Sequence, residues 1–181
     1  MRALYPLLLL AFIYSCQYNP SNYKYTETET NLFLDNIIQN IKVQITDITE
    51  IERQPTNKFL IYTRYPLSEI QLEEYNKVGY LLNRDDDISD FAKYTFKKYE
   101  LVNEKNEKVQ FFNNGRAIYL QEFGIWEYNN ILYQNLGIDT ELNMNYEKLS
   151  GYIIMEFEMP YNIKKEVKIP VNISIYDTNN Q

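Results

Sequence analysis

The sequence predicts a mainly β fold: an antiparallel β-sandwich with one or two short helices. Three observations carry that expectation. Residues 152–175 alternate apolar and polar side chains on both sides of a Pro-Tyr-Asn turn. Upstream, further short strand-like runs are separated by turn residues. The clearest start signal of a helix lies at Ser68.

The elements follow in chain order. Ile41, Val43 and Ile45 alternate with Lys42 and Gln44, the period of a half-buried strand. Lys58 to Tyr65 forms a second strand, stopped by Pro66, which has no amide proton for a ladder. Ser68-Glu69-Ile70-Gln71 has the form of a capping box, in which the Ser68 hydroxyl accepts from the Gln71 amide while the Gln71 side chain reaches back. A helix through Val78 follows, and Gly79 suits the left-handed residue past its end. Tyr94 to Val102 and Lys108 to Phe112 flank the polar loop Asn103 to Glu107 as a hairpin. Asn113-Asn114-Gly115 then turns the chain into Ala117 to Gln121. Residues 122–148 are the least regular. Ile131, Leu132, Asn135 and Leu136 suit one face of a short helix, or the segment is a long loop carrying Trp126.

The C-terminal pair is the clearest. Ile153, Met155, Phe157 and Met159 face one way, and Tyr152, Ile154, Glu156 and Glu158 the other. After Pro160-Tyr161-Asn162, the set Val167, Ile169, Val171, Ile173 and Ile175 repeats at period two, opposite Glu166, Lys168, Asn172 and Ser174. A slip of one residue would turn the whole apolar set to solvent, so the register is strongly specified. Pro170 on the polar face marks an edge strand or a bulge. Leu149-Ser150-Gly151 entering a strand that ends Phe157-Glu158-Met159-Pro160 is similar to the late strands of immunoglobulin-like domains in extracytoplasmic bacterial proteins. That resemblance covers only the C-terminal hairpin and implies an immunoglobulin-like sandwich without the inter-sheet disulfide, since the chain has 1 Cys.

That cysteine, Cys16, closes the apolar run Leu7 to Ile13, which follows Arg2. The run is far shorter than the roughly 20 residues a membrane-spanning helix needs. A positive residue, a short apolar stretch and a small residue before the cut are the marks of a signal peptide. Ile13-Tyr14-Ser15-Cys16 resembles the lipobox of bacterial lipoproteins, with Tyr14 where a small residue is usual. The resemblance implies cleavage before Cys16, a diacylglycerol on its thiol and a fatty acyl chain such as palmitate on its new amine. Two or more chains hold a protein firmly on a bilayer. Gln17 after the cysteine, in place of the Asp that retains some lipoproteins at the inner membrane, implies the outer membrane. The expected organisation is a signal peptide over 1–15, a flexible tether over 16–31, one β-rich domain over 32–176 and a disordered tail over 177–181.

Composition narrows the function. The chain has 18 Lys and Arg against 25 Asp and Glu, a net charge of −7, and Arg2 is the only charge that cleavage removes. An acidic chain of this kind does not suit nucleic acid or electrostatic docking on anionic lipid. Histidine is absent (His 0), which removes Ser-His-Asp and Cys-His catalysis, His-ligated zinc and the commonest general base. No motif points to a cofactor. The 18 tyrosines fit codon bias in an AT-rich genome as well as a ring-rich binding surface.

The candidate sites are few. Asp85, Asp86, Asp87 and Asp90 form an acidic cluster, of which Asp85, Asp87 and Asp90 are candidate calcium ligands; Asp90 and Phe96 stand where an EF-hand needs Gly and Glu. The plainer reading is a solvated turn. Tyr119, Phe123, Trp126, Tyr128 and Tyr133 form an aromatic stretch suited either to the core or to a binding surface for sugar rings or protein. Glu156 with Glu158, and Glu73 with Glu74, are the carboxylate pairs that a glycosidase-like hydrolase would need, though any strand brings i and i+2 that close. The expected protein is therefore non-enzymatic: a lipid-anchored envelope protein whose domain binds protein or glycan. The alternatives are a periplasmic immunity or inhibitor lipoprotein that masks a toxin or hydrolase, whose acidic face would steer onto a basic partner, and a carboxylate-dependent hydrolase.

Overall fold

The computed structural model describes residues 23–45, 54–78, 88–112 and 118–176. In chain order they form α1 (Glu27–Asn40), β1 (Lys42–Gln44), β2 (Thr56–Pro66) and α2 (Glu69–Val78). A single 3-10 turn (Ile88–Phe91) leads to β3 (Lys93–Asn103), β4 (Lys108–Val109), β5 (Ile118–Tyr119), β6 (Gln121–Tyr128), β7 (Ile131–Tyr146) and β8 (Lys148–Met159). A second 3-10 turn (Pro160–Asn162) joins β8 to β9 (Ile163–Ser174). The strands make two antiparallel sheets. One has the order β1-β2-β7-β6; the other has the order β4-β3-β8-β9, with β5 also on β3. The mainly β sandwich expected from the sequence is the fold observed, with two helices where one or two were expected.

The β8–β9 hairpin follows the period-two reading. Ile153 pairs with Ile169 and Gly151 with Val171. Ile153, Met155, Phe157, Ile169, Val171 and Ile173 are all buried. Pro170 sits on the solvent side of β9, which is the edge of its sheet, where a missing amide costs no ladder bond. Tyr161 and Asn162 take the left-handed conformation that reverses the chain. Gly151 is also at positive φ, and a Cβ there would strike the Glu100 carbonyl oxygen.

The segment 122–148 is neither a helix nor a long loop. It is the hairpin β6–β7, turned by Asn129 and Asn130, both at positive φ as a two-residue turn requires. The inner face of β7 reads Gln134, Leu136, Ile138, Thr140, Leu142, and two polar residues in that row hide the period of two. Both are satisfied inside: the Thr140 hydroxyl donates to the Phe59 carbonyl at 2.6 Å, and the Gln134 side-chain oxygen accepts from Gln71 at 2.7 Å. Leu132 and Leu136 mimicked helical spacing by chance.

Gln71 belongs to the expected capping box, which is present. Ser68 Oγ accepts from the Gln71 amide at 3.3 Å and Gln71 Oε1 accepts from the Ser68 amide at 3.1 Å. The same device at the N-terminus overturns the expected tether over residues 23–31. Thr26 Oγ1 accepts from the Glu29 amide, and the Glu29 carboxylate accepts from the Thr26 amide at 2.6 Å, so the Thr-Glu repeat starts α1. The folded part accordingly begins by Tyr23, not Leu32. Tyr25, Thr30, Phe33, Leu34 and Ile37 are buried, and the Tyr23 ring packs on Phe91 at 4.8 Å and Tyr161 at 6.0 Å.

Helix α1 spans the seam between the sheets. The Thr63 hydroxyl of β2 donates to the Ile37 carbonyl, and Lys165 of β9 pairs with Asp35 at 2.7 Å. At the opposite seam Phe111 bridges to Leu142. There the Phe112 amide donates to the Glu141 carbonyl and the Asn143 amide to the Gln110 carbonyl. Cys16, Gly79, the Asn113-Asn114-Gly115 turn and the tail 177–181 lie outside the described residues.

Two outcomes follow. Ile153→Ala should cost about 3 kcal/mol in urea unfolding, because the cavity it leaves is fully enclosed. Burial pushes the Tyr23 and Tyr94 hydroxyls up to about 12, and raises Tyr146 as well. The folded state therefore favours their neutral forms. That stability is intact below about pH 10, the unfolded tyrosine value, and is lost as pH rises toward 12. The urea midpoint should fall over that window, and Tyr94→Phe should make the fall shallower.

Candidate functional site

Strand alternation gives each sheet one face toward the core and one toward solvent. The outer face of the β3-β8-β9 sheet carries a set of ion pairs. Lys97 pairs with Glu156 at 3.3 Å, Lys98 with Glu100 at 2.9 Å and Lys164 with Glu158 at 2.9 Å. The Tyr152 hydroxyl and the Lys98 ammonium hold the Glu100 carboxyl below its ordinary range. Glu156 and Glu158 are thus each paired with a lysine, and Glu73 pairs with Lys77 along α2.

The outer face of the β2-β7-β6 sheet is different. Register places Arg64 opposite Asn135, Pro66 opposite Tyr133, Trp126 opposite Tyr133 and Tyr128 opposite Ile131, all on one face. Trp126 is 48% exposed, Tyr128 57%, Ile131 45% and Phe123 43%. A register shift between Glu122 and Gly124 lets the Phe123 ring lie on the backbone of Gly137, where any Cβ would collide with the ring. Next to it, the Lys42 ammonium sits 4.9 Å from the Tyr62 ring.

Arg64 is held from two sides. Its guanidinium lies 4.2 Å from the Trp126 ring centroid, and its Nε donates to Asn135 Oδ1 at 2.6 Å. Asn135 is fixed in turn, donating from Nδ2 to the Gly124 carbonyl at 3.1 Å. Arg64 rises from the level of Gly124, one step before Trp126, and Tyr128 rises one step after, its ring 6.0 Å from the indole. The indole therefore stands between a cation and a phenol. Such a stack contributes about 0.5–1 kcal/mol at an exposed position.

The structure brings four of the five expected aromatic residues, Phe123, Trp126, Tyr128 and Tyr133, onto this face. Tyr119 is the exception: it lies on β5 in the other sheet, with the Lys93 ammonium 5.7 Å from its ring. The sequence reading missed Arg64, Asn135 and Gly137. Arg64 is legible as an outward position of the Lys58–Tyr65 strand, but its neighbours come from residues 71 and 62 positions further along the chain.

Of the acidic cluster, Asp90 lies in the first 3-10 turn, while Asp85 and Asp87 lie outside the described residues. Among the described residues no group of three Cys, Asp or Glu side chains is placed to hold a metal. Nor is any described helix long and apolar enough to cross a membrane. A small cleft between α1, Tyr65 and the start of α2 is lined by Leu32, Phe33, Ser68 and Gln71. No protein-family model, curated protein or solved structure matches the chain.

The chain has 1 Trp, so its fluorescence reports on this face alone. Acrylamide should quench Trp126 efficiently in the native protein. Arg64→Ala should raise the quenching constant further, with a loss of stability of no more than about 1 kcal/mol.

Proposed function

We propose that this protein is a non-enzymatic, lipid-anchored protein of the bacterial cell envelope that binds an envelope protein or glycan through the outer face of its β2-β7-β6 sheet. The exposed ladder Arg64–Trp126–Tyr128 carries the reading. A half-exposed ring leaves roughly 100 Å² in water, on the order of 2 kcal/mol of unrealised burial. The stack on Arg64 returns less than that, so the rings are better accounted for by a partner than by the domain's own stability. Trp, Tyr and Arg are also the residues in which binding energy concentrates at interfaces. On the other sheet Lys97, Lys98 and Lys164 pair with carboxylates, and Lys168 lies 4.2 Å from the Tyr152 ring.

The lipobox-like Ile13-Tyr14-Ser15-Cys16 supports the anchor. With the fold starting by Tyr23, the chain from Cys16 reaches at most roughly 25 Å, so the domain would work close to the bilayer. The absence of Asp after Cys16 favours the outer membrane.

Two measurements test the halves separately. Cys16→Ser should abolish labelled fatty acid uptake and release the protein from the membrane fraction; a variant that still fractionates with membranes, beside a wild type that takes up no label, removes the anchor. A photo-crosslinking amino acid at Tyr128 should give an adduct that Trp126→Ala abolishes. Crosslinks formed only from a probe at Tyr152, on the other sheet, would place the working surface elsewhere.

A further inference from the structure

We infer that the Arg64 guanidinium is an anion anchor, and that the partner is a protein segment presenting an Asp or Glu carboxylate, or a terminal carboxylate, beside an apolar side chain. The inference rests on the outer face of the β2-β7-β6 sheet being the docking surface, and adds to it the chemistry of what docks.

Two observations on Arg64 carry it. Among the described residues its one acceptor is Asn135, bonded to Nε, and no carboxylate or other acceptor meets the terminal Nη edge. A free surface arginine is ordinary, but this one is not free to wander. Asn135 is itself clamped to the Gly124 carbonyl, and the guanidinium sits over the Trp126 ring. The side chain is thus ordered before any partner arrives, which removes much of the entropy that an exposed ion pair would otherwise cost. The rigid fork left facing outward matches the two oxygens of a carboxylate. The charge setting sharpens this point. The chain carries −7 overall, yet among the described residues Arg64 has no carboxylate partner amid Phe123, Trp126, Tyr128 and Tyr133.

The same geometry selects among anionic partners. A sugar ring stacks on an open, flat aromatic face. Here the indole is flanked by Arg64 and Tyr128, a row with which side chains of a partner can interdigitate. An anionic bilayer or a polyanion presents many charges at once and would meet the repulsion of the whole acidic chain, whereas one carboxylate needs only the local fork. An acid next to an apolar residue fits both the fork and the row.

The test uses the mature full-length protein and a displayed random-peptide library. Wild type should enrich peptides with Asp or Glu next to an aromatic or aliphatic residue. One enriched peptide, made synthetically, should lose about tenfold or more in affinity when its acid is changed to the amide. Arg64→Gln should produce the same loss and leave the acid and amide peptides equal, and Arg64→Lys should restore only part of it. Circular dichroism melts verify that each variant is folded. If peptides bind through Trp126 and Tyr128 with no acid preference, and Arg64→Gln binds as wild type does, the anchor is wrong and the docking surface stands. If Trp126→Ala binds every selected peptide unchanged, or no peptide is enriched, the docking surface falls and the anchor with it. Binding of oligogalacturonate, or of vesicles rich in phosphatidylglycerol, as tightly as the peptide would overturn the choice of a protein partner.

Discussion

Strand β7 is the constraint on which the rest depends. It runs for 16 residues, pairs with β2 on one side and β6 on the other, and bridges to the other sheet at Leu142. Because side chains alternate along a strand, one register decides both of its faces. Gln134, Leu136, Ile138, Thr140 and Leu142 go to the core, and Ile131, Tyr133, Asn135 and Gly137 go to the outer surface. A slip of one residue would exchange the two sets, burying the arginine clamp and exposing the core. Stability and the candidate site are therefore the same fact about one strand.

Polar groups inside the sandwich reinforce that register. The chain Ser68–Gln71–Gln134–Glu122 links the cap of α2, through the inner face of β7, to β6, with each amide donating to the next oxygen. A buried amide without a partner costs about 1–3 kcal/mol, so the network penalises any pairing that would break it. It also ties the position of β6, and with it Trp126, to a helix on the inner side of the sheet. The described residues contain no disulfide, and the fold relies instead on burial, these bonds and the closure of both seams.

How far the sequence revealed this depended on how clean each period was. β8 and β9 were readable because their inward residues are all apolar, and Pro170 correctly marked an edge. The cap at Ser68 was readable from four residues. The cap at Thr26 has the same form and was obscured by the Thr-Glu repeat around it, which looked like a solvated tether. β7 was obscured by Gln134 and Thr140, inward residues whose polarity makes sense only once Gln71 and the Phe59 carbonyl are in place. Of the site, the aromatic residues of β6 were visible as a composition, but Tyr119 could not be told apart from the others.

What the sequence determined by itself depends on near neighbours: the cap at Ser68, the alternation of β8 and β9, the turn between them, the acidic balance and the absence of histidine, and a lipobox-like start. These follow from local geometry, in which residues two or four apart share a face. Only the tertiary structure decided which faces become neighbours. The pairing of β2 with β7, and of β7 with β6, brings Arg64 against Asn135 and Trp126 and sends Tyr119 to the other sheet. That pairing is set by fitting buried side chains contributed from distant parts of the chain, and no local pattern encodes it.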